Sequence, residues 1–216
     1  SEILRYQRYS VSTPTLTGLG EKKHLLSSKI TIETFIEDVV NHIIFENLNN
    51  IILVGHSFAG SVISGVADRL KDRIQKLIYF DAMILIDGQK PFDITPKETV
   101  EQRIELAKKF GNNISIPAPS ADTFGVFDIK KSLLLEEKLT PHPLSAFQSK
   151  LILKNEVGNG IPLSYIFCTK PVYKSLESSR EVVRKMKWPI FELNAGHDAM
   201  LTHPKETLNL LMKICN

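Results

Sequence analysis

Apolar residues along this chain form short continuous runs separated by amphipathic stretches. Four runs are predicted as strands: Ile51–Val54 and Leu77–Phe80, which have the continuous apolar composition of strands buried on both faces, and Leu163–Cys168 and Pro189–Leu193. Between them apolar residues recur at helical spacing, which predicts helices over residues 32–45, 58–71, 175–187 and 204–215. Thr31 and Pro204 stand where an N-cap and a first helical turn favour these residue types.

This alternation of strands and helices predicts an α/β fold, with a mostly parallel sheet and helices on both faces. The segment Tyr9–Leu16 is predicted as a further strand, closed by Pro14. The stretch 84–160 departs from the alternation, since it contains six prolines and only one clear amphipathic helix, near Glu98–Lys109. We therefore predict a core of residues 1–83 and 161–216, with residues 84–160 inserted as a lid.

Composition narrows the class of protein. With 216 residues, 43% of them hydrophobic and 24% charged, the chain fits one globular domain. No apolar run approaches the ~20 residues that cross a bilayer, so no membrane is expected as a partner. The 27 basic and 24 acidic residues are interspersed, so no nucleic acid is expected either. The two cysteines favour a reducing, cytoplasmic compartment. Histidines and cysteines lack metal-ligand spacing, so neither a metal nor another cofactor is expected, and a homodimer is left open.

Candidate chemistry is concentrated in Gly55-His-Ser-Phe-Ala-Gly60, directly after the first buried run. A serine on a sharp turn from strand to helix presents its hydroxyl above the sheet, which makes Ser57 the candidate nucleophile. The small residues Gly55 and Ala59 let neighbouring backbone approach closely. The backbone N–H of Phe58, at the helix start, would point at an oxyanion. A glycine-rich turn of a dinucleotide-binding fold is the competing interpretation, although Gly-x-Gly-x-x-Gly is absent from the sequence.

A serine nucleophile needs a base, and His197 is the best placed of the six histidines. It lies just past the last predicted strand, and Gly196 before it permits a tight turn. The imidazole is therefore expected at the carboxyl edge of the sheet, which is also the edge expected for Ser57.

The other histidines receive different interpretations. Two are kept as candidate substrate-binding residues: His142 in the insertion, and His56, which neighbours the serine although its side chain should point away from it. The remaining ones are more typical of solvated or capping positions: His24, His42 and His203.

An acid should orient the imidazole and stabilise the imidazolium. Asp81 ends the second buried run, one helix and one strand after Ser57, so it is expected at the same edge, one strand over. It could instead be a helix cap or a loop contact. Glu177 and Asp198 are weaker candidates, the latter because side chains of adjacent residues diverge.

Several motifs together resemble the α/β-hydrolase superfamily, and more closely its branch of plant methylesterases, hydroxynitrile lyases and bacterial esterase-like relatives. These motifs are Pro14–Gly20, Gly55–Gly60, Tyr79–Ala82, Asp87–Gln89, Leu139–Leu144 and Gly196–Met200. The resemblance implies Ser57 as nucleophile, His197 as base, and a lid over an apolar pocket. Other branches of the superfamily place the acid after the strand that follows the nucleophile helix, which favours Asp81. Plant members place it in a later loop, where this chain has Lys170-Pro171.

The resemblance also implies a departure at the N-terminus. Relatives begin with a strand ending in His-Gly and a loop that supplies a second oxyanion donor, whereas this chain opens on Ile3-Leu-Arg-Tyr6, which is similar to the end of the following helix. We thus expect an N-terminally truncated sheet. The chain could be a fragment or a natural truncation, another segment or chain could fill the gap, or Tyr9–Leu16 and Ile51–Val54 could pair directly.

Three functions remain open from the sequence. The first is a serine hydrolase that cleaves a small carboxylic ester through a Ser57–His197–Asp81 triad and an acyl-enzyme. The second is a catalytically impaired binding protein that keeps the pocket. The third is a hydroxynitrile lyase, although the pocket lysine of plant lyases has no assigned counterpart here.

Overall fold

The computed structural model describes residues 2–6 and 9–215 of the chain. Its α-helices, in chain order, are α1 Glu2–Tyr6, α2 Ile32–Phe45, α3 Ala59–Arg69, α4 Lys97–Phe110, α5 Ile129–Lys138, α6 Leu144–Gln148, α7 Glu177–Lys185, α8 Ala199–Thr202 and α9 Pro204–Cys215. Its strands are β1 Ile51–Ser57, β2 Ile74–Ala82, β3 Ser115–Ile116, β4 His142–Pro143, β5 Leu163–Cys168 and β6 Ile190–Leu193. Within these residues, none of the helices has both the length and the apolar character of a bilayer-spanning helix.

Four strands form one sheet in the order β1-β2-β5-β6, and every neighbouring pair is parallel. This confirms the predicted α/β class. Because the strands are parallel, their carboxyl ends meet at one edge of the sheet. Ser57 and Asp81 lie at that edge on adjacent strands, and the loop that carries His197 begins there after β6.

Helices cover both faces of the sheet at β2 and β5, but Ile52 and Val54 of β1 are 37% and 44% exposed, so the prediction that Ile51–Val54 is buried on both faces is wrong. On one face the buried side chains of α2, α3 and α7 pack against β2 and β5, with Phe35, Tyr79 and Tyr165 among the fully buried residues. On the other face Ile214 of α9 packs with Ile78 and neighbouring residues in a smaller cluster. The continuous apolar runs of β2 and β5 reflect this burial from both sides.

The predicted strand at Tyr9–Leu16 is wrong, because this segment has no regular secondary structure. It does not pair with β1, which is an edge strand within the described part of the chain. A helix side chain holds the end of the segment instead: the backbone N–H and hydroxyl of Thr17 donate to the Asp38 carboxylate at 2.6 and 2.8 Å. An extended run becomes a strand only beside a partner strand, and Pro14 supplies no N–H for a ladder.

The segment between β2 and β5 contains more structure than the sequence indicated. The predicted helix is α4, but α5, α6 and the short antiparallel pair β3–β4 were not predicted. Asp128 caps α5 by accepting a hydrogen bond from the Lys131 backbone N–H at 2.9 Å. Phe147 of α6 packs with Phe58 and Phe92, so part of this segment lies directly against the residue that follows Ser57.

Candidate active site

Ser57 lies at the end of β1, in a backbone conformation that L-amino acids seldom adopt. Its φ angle is +54°, in the left-handed region. The turn is tight: a Cβ on Gly55 would lie 2.7 Å from the carbonyl oxygen of Ala59, and one on Gly60 would clash with the carbonyl oxygen of Met83. Glycine is required at both positions for this reason. The turn leaves Ser57 partly exposed and thus accessible to a substrate.

His197 contacts Ser57 through its Nε2 atom, which lies 2.8 Å from the serine Oγ. The imidazole is 1% exposed and lies between other rings, with centroids of Tyr173, His56 and Phe124 at 4.3, 4.4 and 5.7 Å. Gly196 makes this packing feasible, because a Cβ there would lie 3.0 Å from the carbonyl oxygen of Phe124. The ring is therefore held in one orientation.

Asp81 contacts the opposite nitrogen of the same ring. Its Oδ2 lies 2.7 Å from His197 Nδ1. An ionised carboxylate only accepts, so Nδ1–H is the donor, and in the neutral imidazole Nε2 is then left to accept from the Ser57 hydroxyl. Asp81 also has a left-handed backbone, with φ +39°. The structure thus brings Ser57, His197 and Asp81 into one hydrogen-bonded chain.

The sequence interpretation missed Arg180, which holds the other carboxylate oxygen. Its Nη2 donates to Asp81 Oδ1 at 2.8 Å and to the carbonyl oxygen of Cys168 at 3.1 Å. The side chains of Arg180 and Asp81 are 3% and 0% exposed. Arg180 stands on the inward face of α7, four residues after Leu176 and three before Val183, both buried. This spacing could have indicated a buried ion pair, because an arginine on the apolar face of a helix needs a buried partner.

The Asp81 carboxyl stays ionised in spite of its burial. Burial by itself would raise its pKa, but the hydrogen bonds and positive charges of His197 and Arg180 hold the pKa below its ordinary value. The pKa of Arg180 is raised in turn, since the attraction of Asp81 outweighs the cost of burying the guanidinium. A charged acceptor next to His197 is what stabilisation of an imidazolium requires.

Phe58 occupies the N-cap position of α3. This places its backbone N–H at the positive end of the helix dipole, next to Ser57. Its ring forms one wall of the site, with ring centroids of His142, Phe147 and Phe35 at 4.6, 5.0 and 5.9 Å. The surroundings of the serine are therefore largely aromatic.

The two other predicted histidines lie close to the site and are both neutral. Burial lowers the pKa of His142 to about 4, with a further contribution from the charge of Arg103. Burial likewise lowers the pKa of His56 to about 3. The Nε2–H of His56 donates to the carbonyl oxygen of His197 at 3.0 Å, and its ring packs against Phe80. His56 thus supports the His197 loop, and substrate contact by either histidine stays a prediction.

The other candidate acids lie elsewhere. Asp198 does not contact the His197 ring nitrogens; its Oδ1 lies 3.9 Å from Nε2 of His56. Glu177 pairs with Arg184 at 2.8 Å on the surface of α7. In the part of the chain that the structure describes, no cluster of histidine, cysteine or carboxylate side chains could hold a metal ion.

Comparisons with known proteins point to one family. The family model described as "Alpha/beta hydrolase family" matches residues 2–210. A carbendazim-hydrolysing esterase of Nocardioides sp. (strain SG-4G) is 32% identical in an alignment of 217 positions that covers 94% of this chain and 87% of that protein. The putative chloroplastic methylesterase 14 of Arabidopsis thaliana is 35% identical over 89 residues, covering 40% of this chain and 25% of that protein.

A solved structure extends the likeness to the whole chain. It is an extracellular α/β-hydrolase from a Paenibacillus species, described as a structural and functional homologue of tobacco salicylic acid-binding protein 2. It superimposes with a TM-score of 0.85 and 28% identity, over 99% of this chain and 90% of that one.

Proposed function

This chain belongs to the alpha/beta hydrolase family and is a carboxylic-ester hydrolase, and we propose that it cleaves small esters through a covalent acyl-enzyme on Ser57. The single observation that carries this proposal is the chain of hydrogen bonds from Ser57 through His197 to Asp81, at 2.8 and 2.7 Å. The esterase relatives support the same substrate class.

In the first half-reaction, the Ser57 Oγ attacks the ester carbonyl carbon while His197 Nε2 takes the hydroxyl proton. Asp81 fixes the imidazole by accepting from Nδ1–H and stabilises the positive charge that the ring acquires. The imidazolium then gives its proton to the departing alkoxide, so that the alcohol leaves and the acyl group stays on Ser57.

In the second half-reaction, water replaces the alcohol. His197 takes a proton from the water, the resulting hydroxide attacks the acyl carbon, and Ser57 regains its proton as the acid departs. The backbone N–H of Phe58 donates to the oxyanion of both tetrahedral intermediates, where one such donor contributes about 10²- to 10³-fold in rate.

We further propose that residues 84–160 act as a lid over this site. The proposal rests on the packing of Phe92, Phe124, His142 and Phe147, all from this segment, around Phe58 and His197. In this proposal these aromatic side chains form an apolar wall beside Phe58 and His197, against which an acyl or alcohol group would lie.

The experiment compares wild type with Ser57→Ala in hydrolysis of p-nitrophenyl acetate. We expect loss of the enzymatic rate in Ser57→Ala, and retention in Ser178→Ala, a matched change at an exposed serine of α7. A fluorophosphonate should add one label to wild type and none to Ser57→Ala. Equal rates in wild type and Ser57→Ala would refute the mechanism, and a protein that ligands bind but the probe does not label would be a catalytically silent one.

A further inference from the structure

Arg103 is a cation at the candidate active site that the mechanism above does not use. It lies on α4, in the proposed lid, and is partly buried. Its Nη2 donates to the hydroxyl of Tyr173 at 3.3 Å, and its guanidinium carbon lies 4.9 Å from the centre of the Phe147 ring. The guanidinium is therefore held between two aromatic side chains that come from different parts of the chain.

These two side chains belong to two aromatic walls of the candidate site, one beside His197 and the other beside Phe58. The Tyr173 ring stacks on His197 at a centroid distance of 4.3 Å, while the Phe147 ring packs on Phe58 at 5.0 Å. Arg103 thus spans from the base side of the site to the side of the residue that follows the nucleophile. A substrate carbonyl at Ser57 would place its neighbouring atoms between these walls.

Arg103 also lacks an internal counter-charge. Three other arginines are paired with carboxylates at 2.8 Å: Arg69 with Glu33, Arg180 with Asp81, and Arg184 with Glu177. Over residues 2–6 and 9–215, Arg103 forms no such pair, and its one side-chain hydrogen bond is the long one to Tyr173. A guanidinium has five N–H donors in a planar fork that fits a carboxylate in two-point contact, so most of its binding capacity is free.

We propose that Arg103 binds a carboxylate of the substrate, so that the preferred substrates are small esters that carry a second, free carboxylate. The proposal rests on the proposed function, because Ser57 must attack the ester group of the same molecule. The aromatic walls hold the carbon chain between the two groups, and Arg103 sets the distance from the ester to the anion. Each charge-assisted hydrogen bond of this kind is worth roughly tenfold to hundredfold in affinity.

The test measures kcat/KM, by alkali uptake at constant pH, for matched pairs of esters. Monomethyl adipate and methyl hexanoate differ in a carboxylate on the acyl side, and γ-acetoxybutyrate and butyl acetate differ in one on the alcohol side. We expect wild type to prefer the anionic member of at least one pair by about tenfold or more. In Arg103→Met this preference should fall to near unity.

The matched control is Lys108→Met, which removes an exposed cation from the same helix and should keep the wild-type preference. Arg103→Lys, which keeps the charge without the planar fork, should fall between wild type and Arg103→Met. Ser57→Ala separates the two proposals. If this variant still cleaves both members of a pair, the proposed function fails. If it is inactive, the role of Arg103 is decided by the preference of wild type and Arg103→Met for the anionic ester.

Two outcomes overturn the inference. The first is a wild-type enzyme with no preference for an anionic ester in either pair, a result that needs no variant and so does not depend on folding of Arg103→Met. The second is an Arg103→Met protein, with its circular dichroism and melting temperature retained, that keeps the preference or loses activity equally on both members of the pair.

Discussion

Two arginines border the candidate site, Arg180 and Arg103, and their surroundings differ. Behind His197, Arg180 is buried and paired with Asp81 at 2.8 Å, so its charge is neutralised within the protein. Arg103 forms no pair with a carboxylate among residues 2–6 and 9–215; its Nη2 donates to the Tyr173 hydroxyl, its guanidinium lies over the Phe147 ring, and it stays partly exposed. A closed ion pair fixes geometry, whereas a cation without a counter-charge attracts a ligand. On the proposed function, Arg180 helps to orient the base, and Arg103 is the candidate for contact with the substrate.

The largest effect is expected in Asp81→Asn, which changes the residue paired with Arg180. The amide would stabilise the wrong tautomer of His197, with Nε2 protonated and unable to accept from Ser57, so kcat should fall by about 10⁴-fold. Steady-state kinetics with p-nitrophenyl acetate measure this. The control is Asp198→Asn, which removes a neighbouring carboxylate that does not contact the His197 ring nitrogens and should change kcat little. A larger loss in Asp198→Asn than in Asp81→Asn would reverse the assignment of the acid.

The next effect is on stability, in Arg180→Met. This change leaves the Asp81 charge buried without its cation, which should lower the free energy of unfolding by about 3–5 kcal/mol. The control is Arg184→Met on the same helix. Its pair with Glu177 is about half exposed, so its loss should cost less than about 1 kcal/mol. Urea denaturation measures the free energy of unfolding of both variants. Equal losses would show that the buried pair of Arg180 and Asp81 stabilises the fold no more than the exposed pair of Arg184 and Glu177.

A smaller effect concerns acid stability. The folded-state pKa of Asp81 is lowered, so its contribution to stability is present above the unfolded pKa and is lost as pH falls through the folded pKa. The pKa of Asp198 is raised by burial, which gives the opposite sign: its protonation favours the folded state as pH falls. Between pH 5 and pH 3, Asp81→Asn should therefore lose stability less steeply than wild type and Asp198→Asn more steeply, by at most about 1.4 kcal/mol per pH unit. Urea titrations across that pH range measure how steeply the free energy of unfolding depends on pH in each protein. If both variants changed this dependence in the same direction, the opposite effects assigned to Asp81 and Asp198 would be contradicted.

The smallest effect is expected from His142→Phe, on the side of the site where Arg103 lies. With a pKa of about 4, His142 is neutral at pH 7; its ring contacts Phe35, Phe58 and Phe147, and the ring's one hydrogen bond in the described residues joins Nδ1 to the carbonyl oxygen of Pro143 at 3.2 Å. Replacement by another ring should change the free energy of unfolding by less than about 1.5 kcal/mol and leave kcat/KM nearly unchanged between pH 6 and pH 8. A loss of more than tenfold would mean that His142 takes part in proton transfer or substrate binding.

The elements that the sequence predicted well are those whose pattern depends only on burial by neighbouring elements. Leu163–Cys168 is continuous in apolar residues and matches β5 at both ends, and residues 32–45 match α2 at both ends. The helices between the strands bring the chain back so that every strand runs in the same direction. The order of elements therefore also predicted that Ser57, Asp81 and His197 would reach the same edge of the sheet.

The rest depended on contacts between distant residues. Tyr9–Leu16 has the composition of a strand but no partner strand. Its path is fixed instead by hydrogen bonds from Thr17, directly after it, to Asp38. Helix α5 has no buried residue, and α6 is only 5 residues long and follows Pro143, so neither gives a clear periodic signal. Arg180 and Arg103 were missed for a related reason: whether an arginine is paired or free is decided by residues far away along the chain, such as Asp81 and Tyr173.

The left-handed backbone at both Ser57 and Asp81 has a consequence for protein engineering. Such conformations cost on the order of 1–3 kcal/mol each when the residue is not glycine, so two adjacent strand ends are held against their local preference by the surrounding packing. Glycine at position 57 would remove that backbone strain together with the candidate nucleophile, whereas glycine at position 81 would leave the buried charge of Arg180 without its partner. Selection for heat resistance alone would therefore favour loss of Ser57, so a thermostability screen of this enzyme has to measure turnover in the same round.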